Sequence, residues 1–187
     1  MKAEKLKSYF LDYKKIVCPT IEAEQRQAAV LILLVPGDNG TELIFTRRSE
    51  GLSSHAGQIS FPGGTIDAND KSPIQTALRE SEEEIGLNRA NVEVLGTLEW
   101  HSIPSGFLVL PVIGCLNQEQ VFKPEPNEVA EIFTIPLHLL LDTSIYKQDT
   151  YNRNGINIKF YFLEFKEYYI WGATAGMLRS LAIKLSN

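Results

Sequence analysis

Nine consecutive residues, Ala28 to Pro36, read "AAVLILLVP" and carry no charge and no hydrogen-bonding side chain. A run this short is too short to span a bilayer as a helix, and its length suits a strand. A strand that is apolar at every position has no face to offer water, so both of its faces must be covered. The chain must therefore build a sheet and supply cover for both sides of it.

The rest of the sequence provides those parts. "GDNG" turns the first strand into a second, "TELIFTRR", as a hairpin. A loop of small residues, "SEGLSSHAGQ", leads to a short strand and the pair Gly63-Gly64. A helix is predicted over about residues 72 to 85, with Ser72 as N-cap, Pro73 in its first turn and Gly86 ending it. "VEVLGTLEW" and "FLVLPVIGCL" read as strands, "PLHLLLD" as a short helix, and "YNRNGINIKFYFLEF" as a hairpin turning at Asn154-Gly155. Amphipathic helices are expected at both ends, over 4–16 and in "GATAGMLRSLAIKL". The fold class is α/β (α+β), a mixed sheet between helices. With no repeat, low-complexity stretch or linker, residues 1–187 read as a single domain.

Hydrophobic residues make up 44% of the chain and charged residues 22%, the balance of an ordinary globular protein. Cys18 and Cys115 lie far apart in apolar surroundings and form no disulfide framework, so a reducing cytoplasm is expected. No leader or membrane span is read. A net charge of −5 argues against nucleic acid as a partner. A phosphorylated small molecule stays compatible if divalent ions bridge the two anions.

Four glutamates crowd into "RESEEEIGL", residues 79–87. With about 100° of rotation per residue, Glu84 falls at about +40° and Glu83 at about −60° from Glu80. Glu82 falls at about 200°, while Ile74, Leu78, Ser81 and Ile85 share an arc suited to packing. Glu80, Glu83 and Glu84 thus form one group, with Arg79 beside Glu83. Such a group is either a solvated face or a site for a hard, oxygen-seeking cation such as Mg²⁺ or Mn²⁺. The glycines of "FPGG" just upstream let backbone approach a metal or phosphate closely.

The stretch from Gly64 to Leu87 resembles the Nudix box: a glycine, five residues, a glutamate, seven residues, then R-E-U-x-E-E-x-G-U, with U aliphatic. Arg79, Glu80, Glu83, Glu84 and Gly86 match. Asp70 stands in place of the first glutamate, one residue further from Arg79, and Ser81 replaces an aliphatic residue. Upstream, "LIFTRRSEGLSSHAGQISFPGG" is similar to the signature of the coenzyme A pyrophosphatase branch of Nudix hydrolases. Thr46, Arg48, Ser49, Gly57, Phe61 and Pro62 match, and Ser53 stands where that signature has arginine.

The resemblance implies an α/β/α sandwich and metal-dependent hydrolysis of the diphosphate of coenzyme A or a derivative. It implies Mg²⁺ or Mn²⁺ on Glu80, Glu83 and Glu84, with a Gly64 carbonyl and Glu128 as further candidate ligands. The catalytic set is Glu80, Glu83 and Glu84, and the water's proton goes to Glu83 or Glu128. Glu128 is otherwise a solvated loop acid. Arg47, Arg48, Ser49 and His55 are the substrate-binding candidates; Arg48 can pair with a phosphate through its planar fork or serve as a surface arginine. The aromatics of "KFYFLEF" and "IWG" read as core. ADP-ribose, NADH or a nucleoside triphosphate is the alternative substrate, and a non-catalytic nucleotide binder the second alternative. A homodimer is left open.

Overall fold

The computed structural model describes Tyr9 and residues 26–38, 40–51 and 56–186. The helix expected over 4–16 lies outside the described residues. Strand β1 (Arg26–Gly37) holds the centre of a mixed sheet. It runs parallel to β7 (Phe107–Leu116) along Arg26 to Leu34. The antiparallel strands β5 (Val92–Thr97) and β6 (His101–Ile103) follow on β7's other side.

β1 and β2 (Gly40–Arg48) pair antiparallel only near their turn, Leu34 to Gly37 facing Gly40 to Leu43. Beyond it they part, and two short strands fill the split. β3 (Ile59–Ser60) pairs with Thr46 and Arg47 of β2, and β4 (Gly63–Thr65) pairs with Ala28 to Val30 of β1. Phe61, 2% exposed, sits between them and stacks on Phe45 with ring centroids 5.1 Å apart. The split places Gly63 and Gly64 beside the glutamate helix.

Both faces of β1 are buried, as its unbroken apolar run requires. Ala29, Leu31 and Leu33 face helix α1 (Pro73–Ile85) through Ala77 and Ile85. Ile32 and Leu34 face the other way, into a larger core with Leu178, Leu181 and Ala182 of helix α3 (Gly172–Ser186). That core also holds residues of the short helix α2 (Leu137–Leu140) and of a second, antiparallel sheet. The second sheet orders β9 (Lys147–Arg153), β10 (Ile156–Phe165) and β11 (Tyr168–Trp171) as β11-β10-β9. The layers are helix, sheet, helix. Among the described residues no helix is long and apolar enough to cross a membrane.

Most local signals act as the residues dictate. Ser72 accepts a hydrogen bond from the Gln75 amide at 3.3 Å, and Gly86 ends α1 with φ +66°. Ser81, in the position of an aliphatic residue, is fully buried and donates its hydroxyl to the Ala77 carbonyl at 2.6 Å. That internal bond makes a hydroxyl tolerable in an apolar seam. Asn154 and Gly155 turn β9 into β10 with φ +52° and +84°. Four strands escape the pattern: the short β4, β6 and β11, and β8 (Val129–Pro136), which is antiparallel to β2. Its polar, proline-containing lead-in "KPEPNE" carries no strand signal.

Candidate active site

Glu84 projects from the last turn of α1 into the sheet side and is 4% exposed. The Gly63 amide donates to its Oε2 at 3.1 Å, and Arg48 Nη1 lies 3.8 Å from Oε1. Burial pushes its carboxyl up to about 7, against the pull of the Gly63 N–H and Arg48, and the charges of Glu128 and Glu80 push the same way. One helical turn earlier, Glu80 lies directly against Gly64, where a Cβ atom would sit 2.4 Å from its Cδ. Burial raises the Glu80 pKa, Arg79 opposes the rise, and the charges of Glu83 and Glu128 add to it.

Glu83 is the open member of the group, its side chain 58% exposed and 3.0 Å from Arg79 Nη1. The same Nη1 lies 2.9 Å from Glu80 Oε1. The other side of the guanidinium grips Asp70, with Nε to Oδ1 at 3.1 Å and Nη2 to Oδ2 at 2.9 Å. Thr76 donates its hydroxyl to Asp70 Oδ2 at 2.8 Å. Asp70, in the position of the box's first acid, therefore orients Arg79, which in turn positions two of the three glutamates. No local signal marks that pair, because nine positions and a turn separate the partners. Glu82 points away and pairs with Arg89 at 2.6 Å, as the helical spacing predicts.

The loop before β8 closes the site. The Glu125 amide donates to the Glu84 carbonyl at 2.9 Å and the Lys123 amide to the Ile85 carbonyl at 3.0 Å. Ser49 ties the loop to β2, its hydroxyl donating to the Pro126 carbonyl at 2.9 Å and its amide to the Glu128 carbonyl at 2.9 Å. Glu128 is thereby held near Glu80 and Glu84, close enough that its charge raises the pKa of both. The Ser49 hydroxyl is committed to the loop.

Arg47 and Arg48, consecutive on β2, leave it on opposite faces. Arg48 reaches Glu84, and its buried Nε has no hydrogen-bond partner among the described residues. Arg47 pairs with Glu131 at 3.0 Å, and the Tyr168 hydroxyl donates to the same carboxylate at 2.7 Å. That pair lines an open cleft of about 670 Å³ with Gln58, Tyr169 and Trp171. His55 lies outside the described residues, as does Ser53.

Among the described residues no three acidic, histidine or cysteine side chains form a ready-made metal cage. The carboxylates are drawn instead onto Arg79, the Gly63 amide and Arg48. The donor set still fits a hard cation. It is all oxygen, the charge of Glu128 adds to the rise in pKa of both Glu80 and Glu84, and Glu84 is buried with the Arg48 guanidinium 3.8 Å away. Gly64→Ala tests the seat of Glu80. The expected result is a loss of about tenfold in activity, since the methyl displaces the carboxylate, with Tm unchanged within about 3 °C because Glu80 can swing outward. A large fall in Tm, or full activity, would contradict this.

Comparison with known proteins bears on the family and the fold. Residues 25–153 match the family model of the NUDIX domain. The chain is 40% identical to an uncharacterised Nudix hydrolase, NudL, of Pectobacterium atrosepticum, over 88% of this chain and 85% of the relative. A Yersinia pestis protein of the same description is 42% identical over 88% of this chain and 82% of its own. Among solved structures, a MutT/nudix family protein from Enterococcus faecalis superposes with a TM-score of 0.54 at 16% identity, covering 99% of this chain and 70% of that one. A Nudix hydrolase from M. smegmatis, RenU, gives 0.52 at 24% identity, over 63% of this chain and 74% of its own. These structural likenesses bear on the fold.

Proposed function

The chain belongs to the NUDIX family of hydrolases, enzymes that split diphosphate linkages, and on that premise we propose that its substrate is coenzyme A or a derivative. The products are 3′,5′-ADP and 4′-phosphopantetheine. The oxygen of water bonds to one phosphorus, the bridging P–O bond breaks, and a carboxylate accepts the proton.

What carries the reading is a single juxtaposition. Two carboxylates, Glu80 and Glu84, rest on the Gly63-Gly64 strand beside Arg48, at the edge of a branch-like signature that runs from Thr46 to Pro62. In the proposal Glu80 and Glu84 hold Mg²⁺ or Mn²⁺, with Glu83, Glu128 and a Gly64 carbonyl as further ligands. A divalent cation bound there supplies charge neutralisation for the diphosphate and acidifies water for attack. Arg48 turns from Glu84 to a substrate phosphate, giving an acceptor to its Nε, which is unpaired among the described residues. Glu83, which is solvent-facing, or Glu128, in the loop opposite, takes the proton. Arg79 keeps Glu80 and Glu83 aimed.

Ser53, in place of the signature's arginine, favours the second reading, in which ADP-ribose, NADH or a nucleoside triphosphate is cleaved by the same chemistry. One screen separates the two. Purified protein with Mn²⁺ is given each compound, and products are resolved by chromatography. Release of 3′,5′-ADP from coenzyme A at a kcat/KM at least tenfold above the others is the expected result. Preference for ADP-ribose, NADH or a triphosphate would replace the proposal with the second reading.

A further inference from the structure

Helix α1 ends at Ile85, and the last carbonyls of a helix have no partner within it. Two are taken locally, the Gly86 amide donating to Glu82 at 3.0 Å and the Leu87 amide to Ser81 at 3.4 Å. The next are taken by the loop 117–128, which joins β7 to β8. Its Glu125 amide donates to the Glu84 carbonyl at 2.9 Å and its Lys123 amide to that of Ile85 at 3.0 Å. The Gln120 side chain continues the series, its Nε2 donating to the Gly86 carbonyl at 2.7 Å. Its Oε1 accepts the Asn88 amide at 3.0 Å, so one side-chain amide holds both sides of the turn after α1. Lysine could only donate there, and glutamate only accept.

The loop sequence, "NQEQVFKPEPNE", is polar apart from Val121 and Phe122. Val121 is 93% exposed, while Phe122 packs against the core on the α1 side. Ordering such a stretch costs conformational entropy at every residue, and its tethers offset that cost. The far end is tied to the residue that follows β2. Ser49 donates its hydroxyl to the Pro126 carbonyl and its amide to the Glu128 carbonyl, both at 2.9 Å. Between the two ends, the Glu128 and Val129 amides turn back onto the Glu125 carbonyl at 3.0 and 2.8 Å. One tether therefore sits on the helix that carries Glu84, and the other on the neighbour of Arg48.

We propose that Gln120 and Ser49 are positioning residues, the two ends of a clasp that sets Glu128 against Glu84 across the metal site. The inference rests on the reading above in which Glu128 binds the cation or takes the water's proton. Neither Gln120 nor Ser49 touches substrate. The bonds in the middle of the loop come from backbone amides, which a side-chain substitution leaves in place. Those at the ends come from side chains and can be removed. Either tether alone still restrains the loop, so losing both costs more than the product of the two separate losses.

The test uses Gln120→Ala, Ser49→Ala and the double variant, each in the parent and in Glu128→Gln. The substrate is the compound cleaved fastest in the screen above. Mn²⁺ binding is measured apart from turnover, by the paramagnetic resonance of the free ion. Each single variant should lower kcat about tenfold and the double variant about 10³-fold, with KM within about twofold of the parent. The double variant should bind Mn²⁺ about fivefold more weakly. Ser49→Thr keeps the hydroxyl and should return most of the activity. In Glu128→Gln the same replacements should change kcat by less than about threefold, because the residue they position is gone. Hydrogen exchange in EDTA should quicken at the Lys123 and Glu125 amides of Gln120→Ala, with Tm within about 3 °C of the parent. Equal losses with and without Glu128 would overturn the proposal and leave both tethers purely structural. So would a raised KM at unchanged kcat in Ser49→Ala, which would return Ser49 to the substrate. If Glu128→Gln itself keeps full activity and Mn²⁺ affinity, the reading of Glu128 falls and takes the clasp with it. If Glu128→Gln is impaired while the tether variants are not, the clasp falls alone.

Discussion

Glu84→Gln is expected to lose about 10²-fold or more in kcat while making the metal-free protein more stable at pH 8. The two effects share one cause. Glu84 is 4% exposed, and among the described residues its close neutralising partners are one backbone N–H and a guanidinium group 3.8 Å away. Burial raises its carboxyl from 4.5 to about 7. A carboxyl whose folded pKa lies above its unfolded value binds protons more tightly when folded, so unfolding becomes easier as pH rises between those values. The penalty is absent below about pH 4.5 and complete above about pH 7, and it amounts to at most about 3 kcal/mol for a shift of this size. Glutamine keeps the acceptor for the Gly63 amide and removes the charge, recovering roughly 1–2 kcal/mol, or about 5 °C in a chain of this length. The same missing charge removes a cation ligand and several kcal/mol of transition-state stabilisation. Thermal melts in EDTA should show parent and variant converging near pH 4.5 and separating by pH 8, with the variant higher. Equal melting at both pH values would mean that no burial penalty exists; retained activity would remove Glu84 from the site.

That trade between stability and chemistry explains which parts of this molecule its sequence announces. β1, the caps of α1 and the Asn154-Gly155 turn are dictated by short-range rules: an apolar run, a serine three residues before an amide, two residues able to take positive φ. The separation of Glu82 from its neighbours follows from helical rotation alone. The bonds that aim the site are long-range. Gly63 reaches Glu84 across 21 positions and Ser49 reaches Pro126 across 77, so nothing in either neighbourhood signals them. The aromatics of β10 show a different limit. "KFYFLEF" is apolar on both of its faces, and the pattern reads equally as a strand buried on two sides. Here one face found α3 and the other stayed half-exposed, so Phe160, Phe162 and Trp171 are surface where the composition reads as core. Which face is covered depends on how many elements the chain has left to cover it.

Arg79→Ala is expected to destabilise the fold by about 2 kcal/mol and to lower kcat by about 10²-fold, through positioning rather than contact with substrate. The Arg79 guanidinium is the hub of the site, binding Asp70 with two bonds and holding Glu80 and Glu83 on a third nitrogen. Asp70 has a side chain 3% exposed, and Arg79 holds its carboxyl well below the usual carboxylate range. Breaking an enclosed ion pair costs about 3–5 kcal/mol, but the turn residues beside Asp70 are exposed, so truncation admits water and the cost settles lower. The sign of the pH dependence identifies the pair. A depressed carboxyl contributes stability above its unfolded pKa of 3.8 and loses it as pH falls toward the folded value. The gap between parent and Arg79→Ala should therefore be full at pH 7 and narrow as pH drops below about 4. With Arg79 gone, Glu80 and Glu83 repel each other with nothing between them, and the concentration of Mn²⁺ needed for half-maximal activity should rise about tenfold. Arg79→Lys restores one charge without the fork, so it should regain part of the stability while the Mn²⁺ requirement stays raised. A lysine variant with parental Mn²⁺ dependence would show that charge alone aims these carboxylates and that the two-bond grip on Asp70 is structural.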